Sequence, residues 1–89
     1  MRFEWDRRKA ASNLSKHGVS FDEAMTVFAD WESITIPDPD HSEDEERFVI
    51  TGLSSRGRIL VVPHAERDEN VRIISARRAD ARERKEYAK

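Results

Sequence analysis

Three arginines and four proton-bearing side chains are the residues whose types and spacing could do chemistry. Arg67, Arg72 and Arg77 fall within one run, Glu66-Arg67-Asp68-Glu69-Asn70-Val71-Arg72-Ile73-Ile74-Ser75-Ala76-Arg77, which reads as a charged turn feeding a β-branched strand. A guanidinium closing a buried strand is a planar, permanently charged fork on a rigid support, suited to gripping a phosphate. Arg77 is the first choice for that role and Arg67 the second. His17, His64, Glu83 and Tyr87 are the groups that could move a proton. Lys9 and Lys16, on the first predicted helix, contribute positive field rather than chemistry.

Each of these residues has a plainer reading. Arg77 could pair with Asp80 or Glu83, and Arg67 could be a solvated turn charge. His17 precedes a helix-ending glycine, where an imidazole complements the terminal carbonyls. Glu83 suits a helix cap. Side chains alternate along a strand, so Arg72, Ile74 and Ala76 should share one face and Val71, Ile73, Ser75 and Arg77 the other. Arg72 and Arg77 are then expected on opposite faces, about 16 Å apart, and not on one phosphate. Arg72 is accordingly placed with Lys9, Lys16 and His64 as a substrate- or partner-binding residue. Trp5 and Trp31 could stack on bases, although packing explains both.

The elements that must position these side chains are legible from caps and periodicity. Arg2 to Trp5 reads as an edge strand. Asp6 is an N-cap for a helix over residues 7–16, with Ala10, Ala11 and Leu14 as its inner stripe and Gly18 as its left-handed stop. Ser20 and Glu23 form a capping box for a second helix, whose Phe21, Ala24, Met25 and Phe28 fall at helical spacing. Glu32 to Ile36 reads as an edge strand ending at Pro37, followed by a solvated acidic loop through Glu46. Arg47 to Leu53 and Arg58 to Val62 are strands joined by Ser54-Ser55-Arg56-Gly57. Ile59-Leu60-Val61-Val62 is apolar on both faces and therefore central, and His64 follows it on the face of Leu60 and Val62. Asp80 caps a last helix through Tyr87, with Glu83 at the reciprocal position.

The expected fold is α+β, in the order β-α-α-β-β-β-β-α. Short connections favour an antiparallel sheet, with the two N-terminal helices on one face and a C-terminal helix too poor in apolar side chains to cover the other. Eighty-nine residues bound this to one domain, 1–89. Without cysteine, a disulfide framework and a thiolate site are excluded, and the three histidines show no metal-ligand spacing. No cofactor and no metal is expected. No apolar run reaches the length of a membrane span, and the opening residues carry no signal-peptide apolar region, so the expectation is a soluble cytoplasmic protein.

The net charge of −2 conceals a segregation. Residues 1–20 hold five basic and two acidic side chains, and residues 71–89 hold seven and three, leaving +3 and +4. Residues 21–70 hold four basic and thirteen acidic, a net of −9. If the two ends meet in the fold they form a basic surface on an acidic body, and phosphate binding depends on that local field.

The run from Glu66 to Arg77, taken with Trp5-Asp6 and Lys16-His17-Gly18-Val19-Ser20-Phe21-Asp22-Glu23-Ala24, resembles the BrnT family of toxins over about Phe3 to Tyr87. These are the ribonuclease halves of bacterial type II toxin–antitoxin pairs, related in fold to RelE-type interferases. The resemblance implies a RelE-like fold, translation-inhibiting cleavage of RNA without a metal, and a cognate BrnA-like antitoxin with a DNA-binding ribbon–helix–helix domain. It also implies a homodimer of the toxin within that complex, and no membrane. Arg77 matches the superfamily's strand-end arginine, and Glu83 and Tyr87 belong to the family's final-helix pattern. Ala29-Asp30-Trp31 departs from the family's aspartate–proline step, Asp68 stands where glycine is common, and the tyrosine-like pattern at His64 is altered.

RNA cleaves without a metal when its 2′-hydroxyl attacks the adjacent phosphorus. The proton must be removed, the dianionic phosphorane stabilised by pre-placed cations, and the departing 5′-oxygen protonated. A different class of function, a non-catalytic module that binds a small DNA-binding partner, is also compatible with the acidic loop and the absence of an unambiguous base. Direct DNA binding by this chain is weaker, because no helix–turn–helix signal is present.

Overall fold

The computed structural model describes residues 1–41 and 45–89. The part of the expected acidic loop at residues 42–44 lies outside the described residues. Strand β1 (Arg2–Glu4) leads through Asp6 into helix α1 (Arg7–His17), and α2 (Phe21–Thr26) continues into a 3-10 turn over Val27–Ala29. Then follow β2 (Ile34–Pro37), a second 3-10 turn (Pro39–His41), β3 (Glu46–Leu53), β4 (Ile59–Arg67), β5 (Asn70–Ile73), β6 (Arg77–Arg78) and α3 (Ala81–Tyr87).

The caps form where the sequence calls for them. Asp6 accepts the amides of Arg8 and Lys9 at 2.8 and 3.1 Å. Gly18 closes α1 at φ 69°, its amide donating to the Leu14 carbonyl at 2.9 Å, a conformation that costs glycine no Cβ clash. At α2 only half of the expected box exists. Ser20 accepts the Glu23 amide at 3.0 Å, but the Glu23 carboxylate turns inward to Ser54 and Arg58. The full reciprocal box is at α3, between Asp80 and Glu83.

The sheet runs β1-β5-β4-β3-β2, with β6 also pairing to β4. It is mixed, which corrects the antiparallel expectation: β1 lies parallel to β5, with Phe3 opposite Val71. The helical pair carries the chain away before β2 forms, so β1 is free to enter beside β5 in the same direction. The other pairings are antiparallel, and β4 is central as expected.

The order departs from expectation in a second way, since the strand read over residues 71–77 is two strands with a bulge between them. His64 on β4 faces Ile73 and Val61 faces Arg77, so three steps on β4 are matched by four on the returning chain. The extra residue sits opposite Pro63, whose carbonyl accepts the amides of both Ile74 and Ser75 at 3.0 and 3.4 Å. This is a β-bulge, and it resets side-chain alternation. Pro63 also explains why β4 runs on to Arg67 rather than stopping at Val62: its missing N–H falls at the bulge, where the ladder is already broken.

One sheet face carries Phe3, Phe48, Ile50, Leu60, Val62, His64, Val71 and Ile73. Against it pack Val19, Phe21, Ala24 and Val27, all 2% exposed or less. Gly52 belongs to this contact, since a Cβ there would stand 2.9 Å from Val27 Cγ1. Trp5 meets Phe21 edge-to-face at 6.0 Å and serves packing. Trp31, by contrast, is 99% exposed.

The inner face of α1 is Ala10 and the buried Asn13, whereas Leu14 is 52% exposed and Ala11 also faces solvent. The expected apolar stripe is thus displaced by one residue. The reason is that α1 meets backbone polar groups near Ala76, which require a polar partner.

Candidate active site

Pairing partners share a face, so the register assigns every arginine of the site. Arg72 faces Ala65 and Arg77 faces Val61, four residues apart on β4 and therefore on one face, the one away from α1 and α2. The bulge overturns the expectation that these two arginines oppose each other across the sheet. Their backbones are about 13 Å apart along β4. Arg67, opposite Asn70, stands on the same face about 20 Å from the level of Arg77. Arg47, opposite Ala65 on β3, and Arg2, opposite Asn70 on β5, complete a row of guanidiniums across an apolar strip of Val49, Val61, Pro63 and Ala65.

Two of the clefts among the described residues bear on the arginine row. The first, about 250 Å³, is lined by Arg77, Glu83, Tyr87, Glu86, Thr51 and the aliphatic side chains of Ile34, Ile36, Val49 and Val61. Three of the expected catalytic residues, Arg77, Glu83 and Tyr87, therefore meet in one place. Arg77 Nη1 and Nη2 donate to Glu83 Oε1 and Oε2, both at 2.7 Å, a bidentate pair. Glu83 Oε1 also accepts the Asp80 amide at 2.9 Å, so one carboxylate closes the helix cap and holds the arginine. The Arg77 guanidinium beside it drives the Glu83 carboxyl down to about 2, while Arg77 itself is raised by the same bond.

Tyr87 donates to Asp30 Oδ2 at 2.5 Å, tying the end of α3 to the turn after α2. That carboxylate pushes the phenol up to about 12, so it stays protonated at neutral pH. Asp30 is held low by the Leu53 amide first and by Tyr87 second. Helix α3 buries no side chain of its own, and Ile34 and Ile36 remain 43% and 56% exposed. The final helix leaves much of this face open, as its composition implies.

The second cleft, about 370 Å³, is lined by Arg67, Arg72, Asn70, Glu4, Glu45 and Ala65. Arg72 pairs with Glu45. Arg67 is exposed and has no side-chain partner among the described residues. The turn that presents it, Asp68-Glu69, puts Asp68 at φ 54°, the conformation that makes glycine suitable there and that aspartate tolerates.

The remaining expected residues lie elsewhere. Lys9, Lys16 and His17 belong to α1, whose Ala10 packs into the helix-side core, so they stand across the sheet from the arginine row. The two basic ends of the chain therefore do not merge into one surface, and of the N-terminal cations only Arg2 joins the row. His64 is 1% exposed between Phe28 and Phe48, its Nδ1 3.0 Å from the Val62 carbonyl and its Nε2 3.2 Å from Glu66. It sits in the helix-side core. Among the described residues no cluster of three or more His, Asp or Glu side chains is arranged to hold a metal ion, and no helix is long and apolar enough to cross a membrane.

Asn13 was not singled out from sequence, where it reads as an ordinary polar helix position. The only available signal was its place at helical spacing between Ala10 and His17, on the face that α1 turns inward.

Acid titration tests the Arg77–Glu83 pair. A carboxyl lowered from its ordinary 4.5 to about 2 adds stability above pH 4.5 and loses it as pH falls toward 2. Glu83→Gln should flatten the stability loss across that window, read as urea midpoints from pH 6 to 2. Parallel loss in parent and variant would show that the pair contributes nothing to folding.

A mixed sheet with α1 and α2 on one face, and on the other an arginine row beside an ion-paired, tyrosine-flanked cleft, defines a small α+β protein. The chain matches the family described as "Ribonuclease toxin, BrnT, of type II toxin-antitoxin system" over residues 5–83, and it belongs to that family. Among solved structures it is similar to the crystal structure of the Brucella abortus ribonuclease toxin, BrnT. That likeness has a TM-score of 0.70 at 23% identity, covers 90% of this chain and 97% of that one, and is a likeness of fold. No curated protein matches the chain.

Proposed function

We propose that this chain is a metal-independent endoribonuclease, the toxin of its pair, acting in the cytoplasm as one RelE-like domain. The supporting observation is the cleft that gathers Arg77, Glu83 and Tyr87 on the open sheet face. A substrate phosphate takes the place of the Glu83 carboxylate in the fork of Arg77, which then stabilises the charge that builds on the phosphorane. Glu83, released from the guanidinium that lowers it, regains proton affinity and accepts the 2′-hydroxyl proton. Tyr87, kept protonated, gives its proton to the departing 5′-oxygen, and the proton taken up by Glu83 then passes through solvent to the phenolate, restoring both groups. Arg67 and Arg72 hold phosphates further along the strand. The bond broken is P–O5′ and the bond formed is P–O2′, leaving a 2′,3′-cyclic phosphate and a 5′-hydroxyl.

Expression halts translation, and a BrnA-like antitoxin with a ribbon–helix–helix domain, assembled with two toxin copies, neutralises it by covering the arginine face. The test is incubation of the purified chain with RNA in excess chelator, with end-group analysis. Cyclic phosphate and 5′-hydroxyl ends are expected, and intact RNA would overturn the reading. A second reading, partner binding without catalysis, draws on the exposed apolar side chains of Trp31, Ile34, Ile36 and Leu53. Its signature is antitoxin capture with no RNA cleavage under any condition.

A further inference from the structure

The arginine that the proposed cleavage centre depends on owes its position to a bulge, and the bulge is gripped from outside the sheet. Strand alternation running unbroken from Ile73 would turn Arg77 toward the helix side, into the core. The residue inserted at Ile74-Ser75 reverses that and delivers Arg77 to the open face. An inserted residue leaves ladder groups unpaired. At Ala76 the outer edge has no strand beside it, because β1 pairs only with residues 70–72.

Asn13 takes the place of that strand. Its Nδ2 donates to the Ala76 carbonyl at 2.8 Å, and its Oδ1 accepts the Ala76 amide at 3.1 Å. This is the two-way exchange of a ladder pair, made by one side chain. Oδ1 also accepts the Ser75 hydroxyl at 3.2 Å, and Nδ2 donates to the Val19 carbonyl at 3.0 Å. Asn13 is 7% exposed and Ala76 fully buried, so water cannot substitute. Every donor and acceptor of the amide is engaged, and two of its four contacts fall on Ala76, the residue before Arg77.

The geometry points to Asn13 as the positioning residue of the cleavage centre: from helix α1 it locks the bulge register that aims Arg77 at the substrate phosphate. It does not touch the substrate and acts through Ala76. The inference rests on the ribonuclease reading, and its test separates the two.

Asn13→Ala and Asn13→Asp are compared with the parent in RNA cleavage and in the NMR signals of the Arg77 Nη–H groups. Asn13→Asp keeps the acceptor for the Ala76 amide and loses both donations, so it serves if the alanine variant does not fold. The expected result is a fall in kcat of about 10- to 100-fold, as misplacement by about 1 Å produces, with KM changed less than threefold. In an Arg77→Ala background the Asn13 substitution should cost nothing further. The Arg77 Nη–H signals should lose the shift and exchange protection that pairing with Glu83 confers. Unchanged kcat, an equal loss with and without Arg77, or an unaltered Arg77 signal would each overturn the inference. If the parent cleaves no RNA, the ribonuclease reading fails and the Arg77 signal alone decides the positioning role.

Discussion

Arg77→Ala is expected to abolish growth arrest on expression and to lower RNA cleavage by at least 100-fold, the scale on which removing one pre-placed charge donor acts. The variant should still fold, its melting temperature within a few degrees of the parent, because Arg77 is a partly exposed side chain at a strand end. The side chain has two alternative anions, the Glu83 carboxylate in the free protein and a phosphate in the complex. Arg77→Lys keeps the charge but loses the bidentate fork, so it should recover only part of the rate. The measurement is single-turnover cleavage of a short RNA beside a thermal melt. Parental cleavage by the alanine variant would remove the centre of the proposed mechanism.

The largest effect on stability is expected at Glu23, on helix α2. Its carboxylate is 3% exposed and accepts from Ser54 Oγ at 2.7 Å, from Arg58 Nε at 2.9 Å and from Arg58 Nη2. Arg58 also reaches the Gly18 carbonyl at 3.0 Å, so one ion pair joins the start of α2, the end of α1 and the β3–β4 turn. The Arg58 bond is the main cause that holds the Glu23 carboxyl below its ordinary range. Glu23→Ala strands the guanidinium and the serine hydroxyl and should cost about 3 kcal/mol, the low end for a broken buried pair because Arg58 keeps some solvent contact. Urea unfolding measures it, and a loss below about 1 kcal/mol would show that water replaces the carboxylate at no penalty. Activity in the folded fraction should be unchanged, in contrast to Arg77→Ala.

The sequence alone was enough for the features that nearest neighbours dictate. Asp6, Gly18, Ser20 and Asp80 mark helix ends because caps are local hydrogen bonds, and Ile59 to Val62 declares a central strand because both of its faces are apolar. The family, too, was legible in three short motifs, while for Arg77 the sequence left pairing with Asp80 or Glu83 open as the plainer of two readings. What only the tertiary structure decided was the side of the sheet on which each charge falls. That depends on one inserted residue opposite Pro63, and alternation counted along the chain cannot see a bulge that a distant strand and the side chain of Asn13 create together. The same limit hid the burial of Glu23 and His64, and it hid that the cations of α1 fall across the sheet from Arg72 and Arg77. Local caps follow from residues within a turn of one another, whereas faces and burial follow from register, which is fixed by contacts between residues dozens of positions apart.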